Sequence, residues 1–265
     1  MMTTTHDNWA LITGGSSGIG RALAFELAAH NFNVFLTGRN EAGLAEVAAQ
    51  IRHRFAVNTA VYLADLSLMA EIDGLVRAVI EKNLNLEILV NNAGFTVKGR
   101  FPQTDLVTEL ELLNVQLAAM LKLTKEVLPG MINRRRGRIL NVGSVYSFVP
   151  VPFQSVYSAC KSFILTFSAA IAEETKGTGV SVTVLCPGAT RTQFRARAGF
   201  IQPSWLGGST AEHVARVAVD QTLRGKHLIV PGGINRTSAF LGRHLPATLS
   251  ARLMRFVNRM RGLNA

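Results

Sequence analysis

Short apolar runs alternate with longer amphipathic stretches along almost the whole chain. Runs of strand type fall near 9–13, 33–37, 59–64, 86–90, 138–143, 180–186 and 227–230. Apolar residues at helical spacing fill the segments between them, near 18–30, 41–54, 68–83, 103–133 with a break, 155–176 and 210–224. Trp9 to Thr13 is the first such strand, and Arg21 to Ala29 reads as a helix with Leu23 and Leu27 on its apolar side. Strands and helices in strict alternation predict parallel strands joined by right-handed crossovers. The expected fold is therefore a single-domain, Rossmann-type doubly wound α/β sheet of about seven strands, with ligands at the carboxyl ends of the strands. Beyond Pro246 the pattern predicts one more helix, with Leu249, Leu253, Phe256, Val257 and Met260 on one face and Arg252, Arg255 and Arg259 on another. This divides the chain into a domain over 1–245 and a basic amphipathic helix over 246–265.

Composition narrows the class. A length of 265 residues with 48% hydrophobic content suits one well-cored domain. There is no linker, low-complexity block or fixed repeat, and no apolar run near 18 residues. Met1 to Asp7 has neither a basic nor an apolar leader region, so a cytoplasmic chain is expected. Cys160 and Cys186 are the only cysteines and have no metal-ligand spacing around them, which points to a reducing compartment and no metal site.

Charge is distributed unevenly. Residues 191–265 hold 12 Lys and Arg against 2 Asp and Glu, while residues 1–190 hold 16 against 15. The basic last helix thus has three candidate partners: an anionic membrane surface met peripherally, another protein, or its own domain and a sister subunit. The cluster Arg134 to Arg138 reads as a solvated turn. Nucleic acid is not expected, because no recognition module or aromatic platform accompanies the basic residues.

The candidate chemistry lies in three places. Gly14, Gly18 and Gly20 separate the first strand from the first helix, where glycines let the backbone turn tightly and bring a pyrophosphate onto unpaired helix N–H groups. Their spacing, Gly-x-x-x-Gly-x-Gly, departs from the G-x-G-x-x-G dinucleotide fingerprint. Tyr157 and Lys161 stand at i and i+4 on one helical face, so an ammonium sits beside a phenol and eases movement of its proton. Ser144 precedes the tyrosine by thirteen residues. Together these residues point to ketone–alcohol chemistry on a nicotinamide.

On these motifs the chain resembles the short-chain dehydrogenase/reductase family, in its classical subgroup, whose glycine pattern is T-G-x-x-x-G-x-G. Here that pattern is Thr13-Gly14-Gly15-Ser16-Ser17-Gly18-Ile19-Gly20. The resemblance runs from about Trp9 to Pro231-Gly232 and implies the strand order 3-2-1-4-5-6-7. It implies that Asp65-Leu66 meets an adenine ring, and that Asn91-Asn92-Ala93-Gly94 braces the sheet and contacts the adenosine ribose. It further implies that Asn114 holds a water in a proton relay completed by Ser144, Tyr157 and Lys161. Pro187-Gly188-Ala189-Thr190-Arg191-Thr192 would fix the nicotinamide carboxamide. Gly143 stands where a second serine is common. In that scheme Ser144 donates a hydrogen bond to the substrate oxygen, and Tyr157 gives or takes the proton. Lys161 holds the nicotinamide ribose and depresses the phenol's pKa. Homodimers or homotetramers are usual for the family, whose carboxyl end often enters subunit contacts, and this favours docking for the last helix.

Coenzyme choice is read at the second strand. Eighteen residues past Gly20 comes Gly38, where NAD-preferring relatives carry an acid, and Arg39 follows. A small residue leaves room for a 2′-phosphate and a guanidinium binds one, so NADPH is expected over NADH, with Arg39 as selector and Asn40 as helper. The segment 193–209 holds Phe194, Phe200, Ile201, Trp205 and Leu206 among Arg195 and Arg197. By resemblance it covers the substrate, which implies a bulky, apolar ketone or an acyl group on an anionic carrier. Phe148, Val149, Val151 and Phe153 are read as either pocket wall or subunit contact. The leading reading is an NADPH-dependent ketone or 3-oxoacyl reductase. The alternatives are a secondary alcohol or hydroxysteroid dehydrogenase, and a nucleotide-sensing protein without turnover.

Overall fold

The computed structural model describes residues 8–192, 194 and 208–260. In chain order its strands are β1 (Trp9–Thr13), β2 (Asn33–Gly38), β3 (Thr59–Leu63), β4 (Leu86–Asn91), β5 (Gly137–Val142), β6 (Val180–Leu185), β7 (Thr190–Arg191), β8 (Ser209–Thr210) and β9 (Leu228–Ile229). Its helices are α1 (Gly18–Ala29), α2 (Glu41–Arg54), α3 (Met69–Glu81), α4 (Leu106–Leu113), α5 (Ala119–Asn133), α6 (Ser155–Glu174), α7 (Ala211–Leu223), α8 (Gly233–His244) and α9 (Ala247–Met260). Seven parallel strands stand in the order β3-β2-β1-β4-β5-β6-β9, as the resemblance implies. The winding reverses between β1 and β4, which opens a crevice at their carboxyl ends.

The period-two alternation of the strands divides the core into two layers. Ala10, Ile12, Val34, Leu36, Ile88 and Val90 face α1, α2 and α7, whereas Leu11, Phe35, Leu89 and Ile139 face α3 and α5. Burying each large side chain is worth about 1.5–3 kcal/mol, so strands covered on both faces must be apolar throughout. The expected break within 103–133 is a π turn, Asn114–Ala118, between α4 and α5. Helix α6 has the length and composition of a membrane span, yet it packs on β6 with Tyr157, Lys161 and Ser168 buried in the domain.

Two sequence expectations are corrected here. The Arg134–Arg138 turn is not merely solvated: Arg136 Nη2 lies 2.9 Å from the buried Glu87 carboxylate, and Arg138 pairs with the same group. Arg134 donates to the Leu86 carbonyl at 3.0 Å and Arg135 to that of Gly177 at 3.2 Å. The turn is needed to neutralise a carboxylate buried at the start of β4, at the rim opposite the crevice. The last helix forms, but its apolar stripe is not what attaches it to its own domain. Ser250 and Asn258 are its fully buried residues, and Asn258 Nδ2 donates to the Pro152 carbonyl at 3.0 Å. Leu249, Leu253 and Phe256 remain 50–60% exposed, and Val257 is half-buried. The Met260 side chain lies outside the described residues.

Candidate active site

At the end of β1 the chain turns through Gly14 (φ 67°) and enters α1 at Gly18 (φ 58°), both in the left-handed region that favours glycine. Gly14 N–H donates to the Thr37 carbonyl at 2.8 Å. Asn92 clasps the turn from the neighbouring strand, donating through Nδ2 to the carbonyls of Thr13 at 2.8 Å and Gly14 at 3.3 Å. The Thr13 hydroxyl accepts the N–H groups of Asn92 and Ala93 at 2.9 and 3.0 Å. At Gly20 a Cβ would overlap both the Gly14 oxygen and the Asn92 amide, and at Gly94 it would press on Gln116. Ser17 caps α1 without a side-chain hydrogen bond, Ser16 lies beside Gly43, and Ile19 packs into the core. A closely approachable backbone thus meets a helix terminus with no side-chain cap, a cradle that fits a pyrophosphate.

Helix α6 presents Tyr157, Lys161, Ile164 and Ser168 on one buried stripe. Lys161 Nζ donates to the Val142 carbonyl at the end of β5, 2.9 Å away, and lies 5.5 Å from the Tyr157 ring centre. Ser144, just past β5, accepts Tyr146 N–H at 3.2 Å and hydrogen-bonds with the Tyr157 phenol. Its own hydroxyl hydrogen is the one directed at the phenol oxygen, since that hydrogen bond favours the phenolate. Burial pushes the phenol above its ordinary range, outweighing the lowering by the Ser144 hydrogen bond. Burial also pushes Lys161 down to about 8. In this arrangement the ammonium is turned to Val142, and burial rather than Lys161 dominates the phenol's pKa. A neutral phenol results, suited to giving a proton. Burial raises Cys160 and Cys186 to about 11, which leaves both as inert thiols near the site.

Asn114 stands on the turn that packs against α6, the helix of Tyr157 and Lys161. It begins the π turn, and its Nδ2 donates to the Ser67 carbonyl at 2.8 Å, tying α4 to the loop after β3. In that loop the Asp65 carboxylate accepts Ser67 N–H at 2.9 Å and lies 3.9 Å from Arg39, while Leu66 is buried beside it. Arg39 is 71% exposed, so its guanidinium is open to an anion from solvent. Asn40 instead caps α2 by accepting Gly43 N–H at 3.1 Å. A Cβ at Gly38 would meet only ordinary contacts, near Gly14.

The loop after β6 closes the other side. Pro187 accepts Val145 N–H at 3.1 Å, Thr190 Oγ1 donates to the Gly188 carbonyl at 3.1 Å, and Thr192 lies against Gly18. Phe194 stands 6.0 Å from the Tyr157 ring, centre to centre. Arg195, Arg197, Phe200, Ile201, Trp205 and Leu206 lie outside the described residues. Phe148 packs with Ala239 of α8, and Gly242 abuts Val149 so closely that a Cβ would meet its methyl group at 2.6 Å. This part of the loop is backed by the chain's own helix.

Three contributors escaped the sequence reading. Ser147 Oγ accepts Ser144 N–H at 3.2 Å, which the Ser-x-x-Ser spacing hinted at. Tyr146 meets the Tyr157 ring edge-on at 6.4 Å. Asn235 of α8 fills the space that a Gly188 side chain would take, and its distance in sequence left no local signal.

The model of the family described as short chain dehydrogenase matches residues 8–199. The chain belongs to the short-chain dehydrogenase family. Relatives within it include a very-long-chain 3-oxoacyl-CoA reductase of Laccaria bicolor, 38% identical over 176 residues, which are 66% of this chain and 52% of the relative. The chain spans only about half the length of that relative. Ketoacyl reductase HetN of a Nostoc species is 32% identical over 219 residues, 82% of this chain and 76% of the relative. A short-chain dehydrogenase from Sphingobium yanoikuyae, solved in complex with NADPH, is similar with a TM-score of 0.80 and 28% identity, covering 97% of this chain and 94% of that one. Among the described residues no cluster of His, Cys, Asp or Glu could hold a metal ion.

Proposed function

We propose that the chain reduces a ketone, of 3-oxoacyl or other lipid-like type, with NADPH. The observation that carries this reading is that Ser144, Tyr157 and Lys161 come together where β5 meets α6, in a chain whose β1–α1 turn forms the Gly14–Gly20 cradle. The names of two relatives, a 3-oxoacyl-CoA reductase and a ketoacyl reductase, and NADPH in a related structure support it. The cradle, Arg39 and the Pro187–Thr192 loop would hold the dinucleotide. When bound, a reduced nicotinamide supplies the hydride for the carbonyl carbon. Ser144 donates a hydrogen bond to the carbonyl oxygen, and Tyr157 gives that oxygen its proton, so a secondary alcohol leaves. Lys161 would supply a buried cation for holding the coenzyme.

A panel of ketones and 3-oxoacyl thioesters assayed with NADPH and NADH tests the proposal. NADPH is expected to exceed NADH in kcat/KM by at least about tenfold, the 1.4 kcal/mol that one charge-assisted contact can supply. Gly38→Asp combined with Arg39→Ala should reverse the order. Equal use of both coenzymes would remove Arg39 as selector, and no turnover of any carbonyl would sink the reductase reading.

Lys161 makes coenzyme binding pH-dependent. Its pKa in the free protein is lowered to about 8, so the ammonium is present at pH 7 and lost as pH rises through that value. NADPH affinity, measured by fluorescence titration, should hold steady up to about pH 7.5 and then decline, on the order of tenfold by pH 9.5. Lys161→Met should bind weakly without that step. A flat profile for the unaltered protein would show that this charge is not used in binding.

We also read the chain as a homodimer or homotetramer. Phe101 and, on α4, Leu106, Val107 and Leu110 are 50–67% exposed and supply apolar surface for such a contact.

A further inference from the structure

Six of the seventeen large hydrophobic residues exposed among the described residues fall within α8 and α9: Ile234, Phe240, Leu241, Leu249, Leu253 and Phe256. The same span carries Arg236, Arg243, Arg252, Arg255 and Arg259, and no Asp or Glu occurs anywhere after Asp220. Apolar exposure and positive charge are therefore concentrated together.

Their order around α9 is specific. At about 100° per residue, Phe256, Leu249 and Leu253 share a sector of about 60°, and Arg252, Arg259 and Arg255 occupy the adjoining sector. Ser250 and Asn258 face the domain from the other side, and Asn258 is bonded to the Pro152 carbonyl. The helix is attached without its apolar stripe, which leaves the stripe for something else.

We propose that α8 and α9 form a docking surface for an anionic lipid bilayer. The stripe would sit among the acyl chains at the headgroup boundary, while the flanking arginines bury their stems and keep their guanidinium groups at the phosphates. Charge selects this occupant over a second copy of the chain. An isologous contact through the same face would set arginine against arginine with no acid on either helix to pair them, whereas each arginine gains about 1 kcal/mol at an anionic surface. The placement also suits the site, since α8 backs the Phe148–Val149 turn that follows Ser144 and holds Asn235 against Gly188. Bilayer binding is read without turnover, so it stands or falls apart from the reductase reading.

The test is flotation of the full-length protein with phosphatidylcholine vesicles and with vesicles containing a quarter phosphatidylglycerol. Binding is expected only with phosphatidylglycerol and should be released largely by about 0.5 M salt, because exposed charges are then screened. Leu253→Asp with Phe256→Asp should weaken it by at least about tenfold at unchanged melting temperature and elution volume. Arg252→Gln with Arg255→Gln and Arg259→Gln, which leaves the apolar stripe intact, should do the same. Failure of the unaltered protein to float, or equal flotation with phosphatidylcholine alone, would overturn the proposal. So would a shift of the aspartate variant from oligomer to monomer with vesicle binding unchanged, which would make the stripe a subunit contact.

Discussion

Replacing Tyr157 by phenylalanine is expected to lower kcat for ketone reduction by about two to four orders of magnitude while NADPH still binds. Phenylalanine keeps the ring against Tyr146 and Phe194, so the walls of the site stay in place. What disappears is the proton. Ser144 retains a hydroxyl and can still hold the carbonyl oxygen, but an aliphatic hydroxyl is a far weaker acid than a phenol. Lys161 cannot substitute readily, since its Nζ is committed to the Val142 carbonyl. Single-turnover measurement with saturating NADPH isolates the chemical step. A variant that kept kcat and lost only KM would place the proton donor elsewhere.

The second large effect is expected from Gly20→Ala. Its new methyl group would occupy the space where Asn92 Nδ2 reaches the Gly14 carbonyl, so the clasp between β1 and β4 must open or α1 must shift. Overpacking of this kind costs about 1–3 kcal/mol of stability. The greater loss should fall on coenzyme binding, because the same displacement moves the helix terminus away from the pyrophosphate. NADPH affinity should drop by at least about tenfold, seen by calorimetric titration, with a lower melting temperature. Unchanged affinity would mean that the coenzyme does not use this turn.

Most of the fold is legible because parallel strands buried on both faces must be written as continuous apolar runs, as in Val34-Phe35-Leu36 and Ile88-Leu89-Val90. Helix α8 is hidden for the opposite reason. It opens on glycine and contains Gly242, so propensity argues against it, although its apolar and polar residues do recur at helical spacing. The β7–β8 pairing is invisible because each strand is two residues long and its bonds cross a loop.

The site divides in the same way. Spacing placed Tyr157 and Lys161 together, since i and i+4 fix both on one helix; Ser144 joined them through the family resemblance, and the turn after β5 brings it there. Spacing could not show that Asn114 begins a π turn, because no local signal marks the extra residue in that turn. Nor could it rank burial against a neighbouring charge. The phenol's upward shift depends on how many groups close over Tyr157, among them Leu112 and Phe194, which are far apart in sequence.

Glu87 and its arginines add a consequence for how such a protein diversifies. Arg138 sits on β5 beside β4, so this cluster fastens the two central strands at the rim away from the chemistry. One rim of the sheet is riveted and the other is open to tailoring. Recutting the Phe148–Phe153 turn and the facing side of α8 would reshape the chain just past Ser144, while drawing nothing from the rivets that keep the strands in step.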